Sequence, residues 1–149
     1  MTAPAVRDIR PDDRKVLKVL GLRRGVGSLD LVEALRRGLP SSAFGRVADL
    51  AGVSREEAIR VLRIGRASVF RKVASKRPLA PDESQKVARL ARITLLAEYV
   101  LEDPQRGRAW LTEPVPALGG QRPIDLLDTD EGARTVEETL LRLEYGILA

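Results

Sequence analysis

The stretch SREEAIRVLRIGRASVFRKVASKR, residues 54–77, holds two helical patterns separated by a single glycine. Ser54 followed three residues later by Glu57 is a capping box, so a helix starts at Ser54. Its apolar face is Ala58, Val61 and Leu62, with Ile59 at the edge. Gly65 permits a tight turn, and a second helix follows over roughly Arg66–Lys76. There Val69, Phe70 and Val73 share one side, with Ala74 at its edge, and Ser68, Arg71, Lys72 and Ser75 lie opposite. Two short helices with a tight turn outline a helix-turn-helix, whose second helix enters the DNA major groove. From Arg60 to Arg77 there are seven basic residues and no acidic one. Basic side chains can donate to guanine O6 and N7 or to phosphates. The candidate DNA contacts are therefore Arg66, Ser68, Arg71, Lys72, Ser75, Lys76 and Arg77. Lys76 and Arg77, with Arg60, suit phosphates better than bases. The polar side carries no Trp, Leu or Phe to insert into a bilayer, which argues against a membrane surface.

Outward from this pair the chain reads as further short helices. SLDLVEALRRG puts Leu31, Val32 and Leu35 on one face and stops at Gly38. SSAFGRVADLAG is capped by Ser41 or Ser42, turns Phe44 and Val47 inward and ends at Gly52. Pro81 suits the first position of a longer helix. The second half of that helix, Leu90–Leu101, is apolar nearly all round. Such a helix is buried between other elements, or it offers a second apolar face to another copy of the chain. A homodimer contact is expected there. Residues 1–27 read as an N-terminal tail with one apolar cluster, Val16, Leu17, Val19, Leu20 and Leu22. The glycine-rich GLRRGVGS lacks the lysine of a phosphate loop and reads as a connection. No strand pattern and no internal repeat occur. The expected fold is all-α, with seven or eight helices.

The 149 residues suffice for one ordinary domain or two very small ones. There is no cysteine and no histidine. That removes disulfides, thiolate nucleophiles, cysteine-ligated zinc and the commonest general base. No catalytic residue, metal site or cofactor is expected. Met1–Arg10 lacks an apolar signal core and no long apolar run occurs, so a cytoplasmic protein without a membrane span is expected. The net charge is +5, unevenly spread. Residues 110–149 carry 8 acids against 3 arginines, and the other 109 residues carry 23 basic against 13 acidic side chains. Two surfaces with different partners would produce this split.

The C-terminal end is elaborate. Pro114 and Pro116 force an extended stretch after Trp110, and Gly119–Gly120 permit a sharp reversal. PIDLL fits one helical turn from Pro123. Asp128 or Thr129 can cap the last helix, with Glu131 completing a capping box. Ala133, Val136, Leu140 and Leu143 form its apolar stripe, and Gly146 is a stop. Ile147, Leu148 and Ala149 extend apolar beyond it, where a docking surface would lie. Asp125, Asp128, Asp130 and Glu131 are the best carboxylates for an enzyme, but helix caps and first-turn acids account for them.

The ordered elements Trp110–Leu111, Pro114, Leu118–Gly120, Pro123–Leu127, Thr129–Gly132, Val136–Glu137 and Tyr145–Gly146 closely resemble the toxin-binding domain of the Xre/MbcA/ParS antitoxin family. Upstream, EALRRGLP, RASVFRK and LAPDES resemble its Xre-type helical segment, which extends the likeness over roughly residues 29–149. Gly65 and Ala80 depart from it, standing where relatives more often carry a capping serine. The resemblance implies an Xre-like DNA-binding and dimerisation domain over residues 28–103 and a small helical toxin-binding domain over residues 104–149. It implies a type II antitoxin that represses its own operon and blocks a RES-domain, NAD⁺-consuming toxin by covering its active-site entrance. Expected toxin contacts are Trp110, Leu118, Gly119, Gly120 and Arg122, and at the end Glu144, Tyr145, Gly146, Ile147, Leu148 and Ala149. A stand-alone helix-turn-helix transcription regulator without a toxin partner is the alternative.

Overall fold

The structure, a computed structural model, describes residues 13–23 and 28–146. Eight α-helices and two short 3-10 turns, with no strand among the described residues, confirm an all-α fold. In order these are α1 (Asp13–Val19), α2 (Ser28–Arg37), α3 (Ser42–Ala51), α4 (Arg55–Leu62), α5 (Arg66–Ser75), α6 (Pro81–Val100), α7 (Pro104–Thr112) and α8 (Asp130–Glu144). The 3-10 turns, Pro116–Leu118 and Pro123–Leu126, lie between α7 and α8.

The 20-residue α6 is the hub, with α1, α2, α3, α7 and α8 all packed against it. This explains its apolar character on every side. Leu90, Ala91, Ile93, Leu95, Leu96 and Ala97 are all buried within the single chain. The helix does lie between other elements, as its pattern implies. From Leu90 to Ala97 the chain's own helices cover the apolar residues expected to serve a dimer contact, while farther along the helix Tyr99 is 47% exposed.

The stretch read as an N-terminal tail contains α1. Val16, Leu17 and Leu20 are buried, and Arg46 of α3 donates to the Val19 carbonyl (2.9 Å), which ties α1 to the core. The apolar cluster is a helix face that finds its partner on α6, far along the chain. Residues 24–27, with Gly25 and Gly27 of the expected connection, lie outside the described residues. On α2, Leu31 and Leu35 are half-buried, but Val32 is 41% exposed and points away from the core side. Two hydrogen bonds fix the chain around α3 and α6. The Leu39 amide donates to Ser84 Oγ (2.8 Å) and the Leu79 amide to the Leu39 carbonyl (2.9 Å).

Candidate nucleic-acid interface and C-terminal module

Helices α4 and α5 form the expected pair. Ser54 accepts the Glu57 amide (3.0 Å), which starts α4, and Arg63 adopts a left-handed φ of 50° to end it. Ala58, Ile59, Val61 and Leu62 are buried as their spacing implies. Helix α5 is held more thinly. Val69 is its only buried residue, and Phe70 meets Phe44 of α3 edge-on at 6.4 Å.

The rotation of α5 about its axis differs from the expected one. Val73, assigned to the inward side, is 41% exposed, while Ser68 and Lys72 turn inward to α6. The cause is Glu83, a carboxylate only 5% exposed at the third position of α6. Ala80 has no side-chain oxygen to cap that helix, so Glu83 reaches back and accepts the Ala80 amide (2.8 Å). Lys72 Nζ (2.6 Å) and Ser68 Oγ (3.1 Å) donate to the same carboxylate. Burial alone would raise the Glu83 pKa. The hydrogen bonds from Lys72, Ala80 and Ser68 outweigh that effect and hold it below its ordinary value.

The seven basic residues of this region divide by partner. Arg60 pairs with Glu57 (3.3 Å), Arg63 with Asp128 (3.2 Å), Arg66 with Glu56 (2.9 Å) and Lys72 with Glu83 (2.6 Å). Arg66 also lies over the Phe70 ring at 5.0 Å. Arg71, Lys76 and Arg77 are exposed and have no side-chain partner among the described residues. The Ser75 hydroxyl, also exposed, donates to the Arg71 carbonyl (2.8 Å). The region's positive charge open to an external ligand is therefore concentrated on Arg71, Lys76 and Arg77.

The C-terminal module is packed far more deeply. Asp103 accepts the Arg106 amide (2.9 Å) and starts α7, where Leu111 is fully buried and Trp110 is half-buried against the core. The chain then closes a small loop. Val115 donates to the Gln121 carbonyl and Gly120 to the Val115 carbonyl, both at 3.0 Å. Gly119 and Gly120 have φ of 68° and 78° and stand exposed at its tip, the reversal that two residues without Cβ allow. Ile124 and Leu127 of the next turn are fully buried. Thr129 caps α8 by accepting the Gly132 amide (3.0 Å). This places Gly132, not Glu131, at the third helical position, so Glu131 completes no capping box and pairs with Arg134 instead (3.6 Å). Gly132 is required there, because a Cβ would strike the Leu126 carbonyl.

Arginines strap this module to the helices beneath it. Arg122 forks onto both oxygens of Asp125 (2.9 Å each) and reaches Glu57 of α4 (3.0 Å). Arg89 of α6 donates to the Leu127 carbonyl (2.9 Å) and to Asp130, and Arg63 holds Asp128. The hydrogen bonds from Arg122 hold the Asp125 carboxyl below its ordinary value. Two of these pairs, Arg63–Asp128 and Arg89–Asp130, set basic side chains of the first part of the sequence against acids of the last.

The expected toxin contacts fall into different settings. Gly119, Gly120, Glu144 and Gly146 are exposed. Leu118 is core, Arg122 is committed to two carboxylates, and Trp110 and Tyr145 are half-buried against the core. Ile147, Leu148 and Ala149 lie outside the described residues. Glu57 is a residue that pattern reading assigned only to a cap. Its pairing with Arg122 spans 65 positions and leaves no local signal.

Two family models match the chain. One, the antitoxin Xre-like helix-turn-helix domain, covers residues 30–92. The other, the antitoxin Xre/MbcA/ParS C-terminal toxin-binding domain, covers residues 96–146. One stretch ends and the other begins within α6. Among curated relatives, the Prs ADP-ribosylating antitoxin of Sphingobium sp. (strain YBL2) is 31% identical over 130 residues, 81% of this chain and 82% of its own. Antitoxin Xre of Yersinia enterocolitica is 28% identical over 138 residues, 91% and 92% of the two chains. Antitoxin Xre of Pseudomonas putida is 35% identical over 75 residues, 50% and 47% of the two. With its helix-turn-helix and its toxin-binding module built around one shared helix, the chain belongs to the Xre/MbcA/ParS family of antitoxins.

Proposed function

We propose that this antitoxin neutralises a RES-domain toxin that consumes NAD⁺, by covering the entrance to its active site with the C-terminal module. It acts in the cytoplasm without catalysis of its own, and as a homodimer it represses its own operon through α5. The observation that carries this reading is the union in one chain of a toxin-binding match over residues 96–146 and a helix-turn-helix match over residues 30–92. The exposed Gly119–Gly120 reversal and the exposed acids Glu137, Glu138 and Glu144 support a protein-facing surface. They suit a pocket that must itself be basic to hold a pyrophosphate. Arg71, Lys76 and Arg77 support the DNA arm. Dimerisation rests on the usual two-fold use of helix-turn-helix units, which read two half-sites.

The name of the Sphingobium relative favours a second form of the toxin reaction. ADP-ribosylation takes its ADP-ribose from NAD⁺, so either form depletes the same substrate. Co-expression with the neighbouring gene is the test. The expected result is a co-purifying protein whose NAD⁺ consumption is suppressed in the complex and returns when the antitoxin is removed. Free ADP-ribose as the product marks degradation, and label retained on protein marks transfer. A chain that purifies alone and still binds its promoter is a stand-alone regulator, and the proposal then fails.

A further inference from the structure

We infer that Arg71 is the residue of α5 that reads a base, that the base is a guanine, and that Ala67 and Ala74 select thymine on its two sides. This rests on the DNA-binding reading of α5 given above. Its ground is the rotation of α5 set by Glu83. With Val69 fully buried, and with Ser68 and Lys72 drawn to Glu83, the outermost stripe of the helix is Ala67, Arg71 and Ala74. These positions recur at helical spacing, so they face the same way. All three are exposed.

The other candidates for base contact are already engaged. Arg66 is clamped by Glu56 through Nε and Nη2 and lies over Phe70. Lys72 and Ser68 serve Glu83. Ser75 donates its hydrogen to the Arg71 carbonyl. Arg71 is left as the one guanidinium on the stripe without a partner among the described residues. A guanidinium presents two parallel N–H donors, which match guanine O6 and N7. Neighbouring alanines let the helix come close to the base edges, and their methyls fit the C5-methyl of thymine. Lys76 adopts a left-handed φ of 56° and ends α5, so it and Arg77 leave the helix line toward the phosphates.

A second copy of the chain is the competing occupant of this face. It fits poorly, because a two-fold contact sets each patch against itself, and Arg71 would meet Arg71 with no acid on α5 to offset it.

The test is selection from random duplexes at fixed salt, with the full chain as wild type, Arg71→Ala, Arg71→Lys and Lys76→Ala. Wild type is expected to enrich a guanine flanked by thymines. Arg71→Ala should lose discrimination at that guanine by roughly 10- to 100-fold and keep its other preferences. Arg71→Lys should keep the salt slope but lose most of the discrimination, since a point charge lacks the fork. Lys76→Ala should weaken all sequences alike and lower the salt slope by about 1. Replacing the flanking thymines by uracil removes only the methyls and should weaken wild-type binding. If Arg71→Ala weakens every sequence equally, Arg71 is a phosphate contact; the inference falls while the DNA reading stands. Equal affinity for the uracil duplex overturns the alanine assignment. If Arg71→Ala changes the sedimenting mass but not DNA binding, the face joins two copies and the inference falls. If wild type binds no duplex, the DNA reading itself fails, and the inference with it.

Discussion

Helix α5 and the C-terminal module treat charge and burial in opposite ways. Helix α5 buries one residue, Val69, and together with the two residues that follow it keeps three cations, Arg71, Lys76 and Arg77, open to solvent. The module buries Leu111, Leu118, Ile124, Leu127, Val136 and Leu140, and commits Asp125, Asp128 and Asp130 to arginines. On the proposed function, a helix that enters a DNA groove needs a free basic front and little mass behind it, and a module that offers a loop tip to a toxin needs that loop held still. Around α5 the open cations are few, whereas the module leaves Glu137, Glu138 and Glu144 exposed beside the charges that its arginines hold.

Breaking the module's core gives the largest expected effect. Ile124→Ala removes most of a fully buried side chain and should cost roughly 2–5 kcal/mol. Because α6 is shared, the chain should melt in one transition, displaced by about 2–4 °C for each kcal/mol. Two separate transitions in calorimetry would show that the two regions are independent bodies.

Lys72→Ala sharpens the comparison from the α5 side. It strips a buried carboxylate of its cation and should destabilise by about 1–3 kcal/mol, a cost that no solvent-facing base in α5 would carry. The pH dependence gives a second readout. Glu83 and Asp125 are both held below their ordinary values. Their contribution is complete above the ordinary carboxylate range, near pH 4, and is lost as the pH falls from there through the depressed folded values. In Lys72→Ala burial gains weight at Glu83, so acidification should cost the mutant less stability than wild type. Equal acid sensitivity in thermal melts would show that Lys72 does not set the Glu83 charge.

Arg122→Ala cuts the strap between the module and α4. It should cost about 1 kcal/mol, because the pairs are half-exposed, yet reduce toxin inhibition by loosening the Gly119–Gly120 loop. Unchanged inhibition by the purified mutant would mean that the loop is rigid without the strap. Arg63→Ala, at a pair whose arginine is 79% exposed, should change stability by less than about 1 kcal/mol in denaturant titration. Removal of residues 147–149, which leaves Tyr145 on the core, is expected to leave the melting temperature unchanged while the activity of the toxin returns. Full inhibition by that truncated chain would move the inhibitory surface to the Gly119–Gly120 tip.

Much of the fold was legible along the chain. The caps at Ser54 and Thr129, the stop at Gly52, Pro81 at a first position and the reversal at Gly119–Gly120 all lie where local backbone chemistry puts them. Less of the candidate site was legible. Val73 and Lys72 exchanged their expected sides of α5, and the cap at α8 fell one residue later than a Glu131 capping box requires. Both errors came from reading one helix in isolation, when Glu83 of α6 fixes the first and the Leu126–Gly132 contact fixes the second.

By itself the sequence determined helices α2 to α8, their order, the cap at Ser54 and the concentration of basic residues before Arg77, because each depends on residues within a turn or two of one another. Only the tertiary structure decided which charges remain open. The pairs Lys72–Glu83, Arg63–Asp128 and Arg122–Glu57 join residues 11, 65 and 65 positions apart, and each forms only once the helices are set around α6. A helical pattern fixes which residues share a face. Where that face points depends on what a distant carboxylate must be paired with when it leaves water.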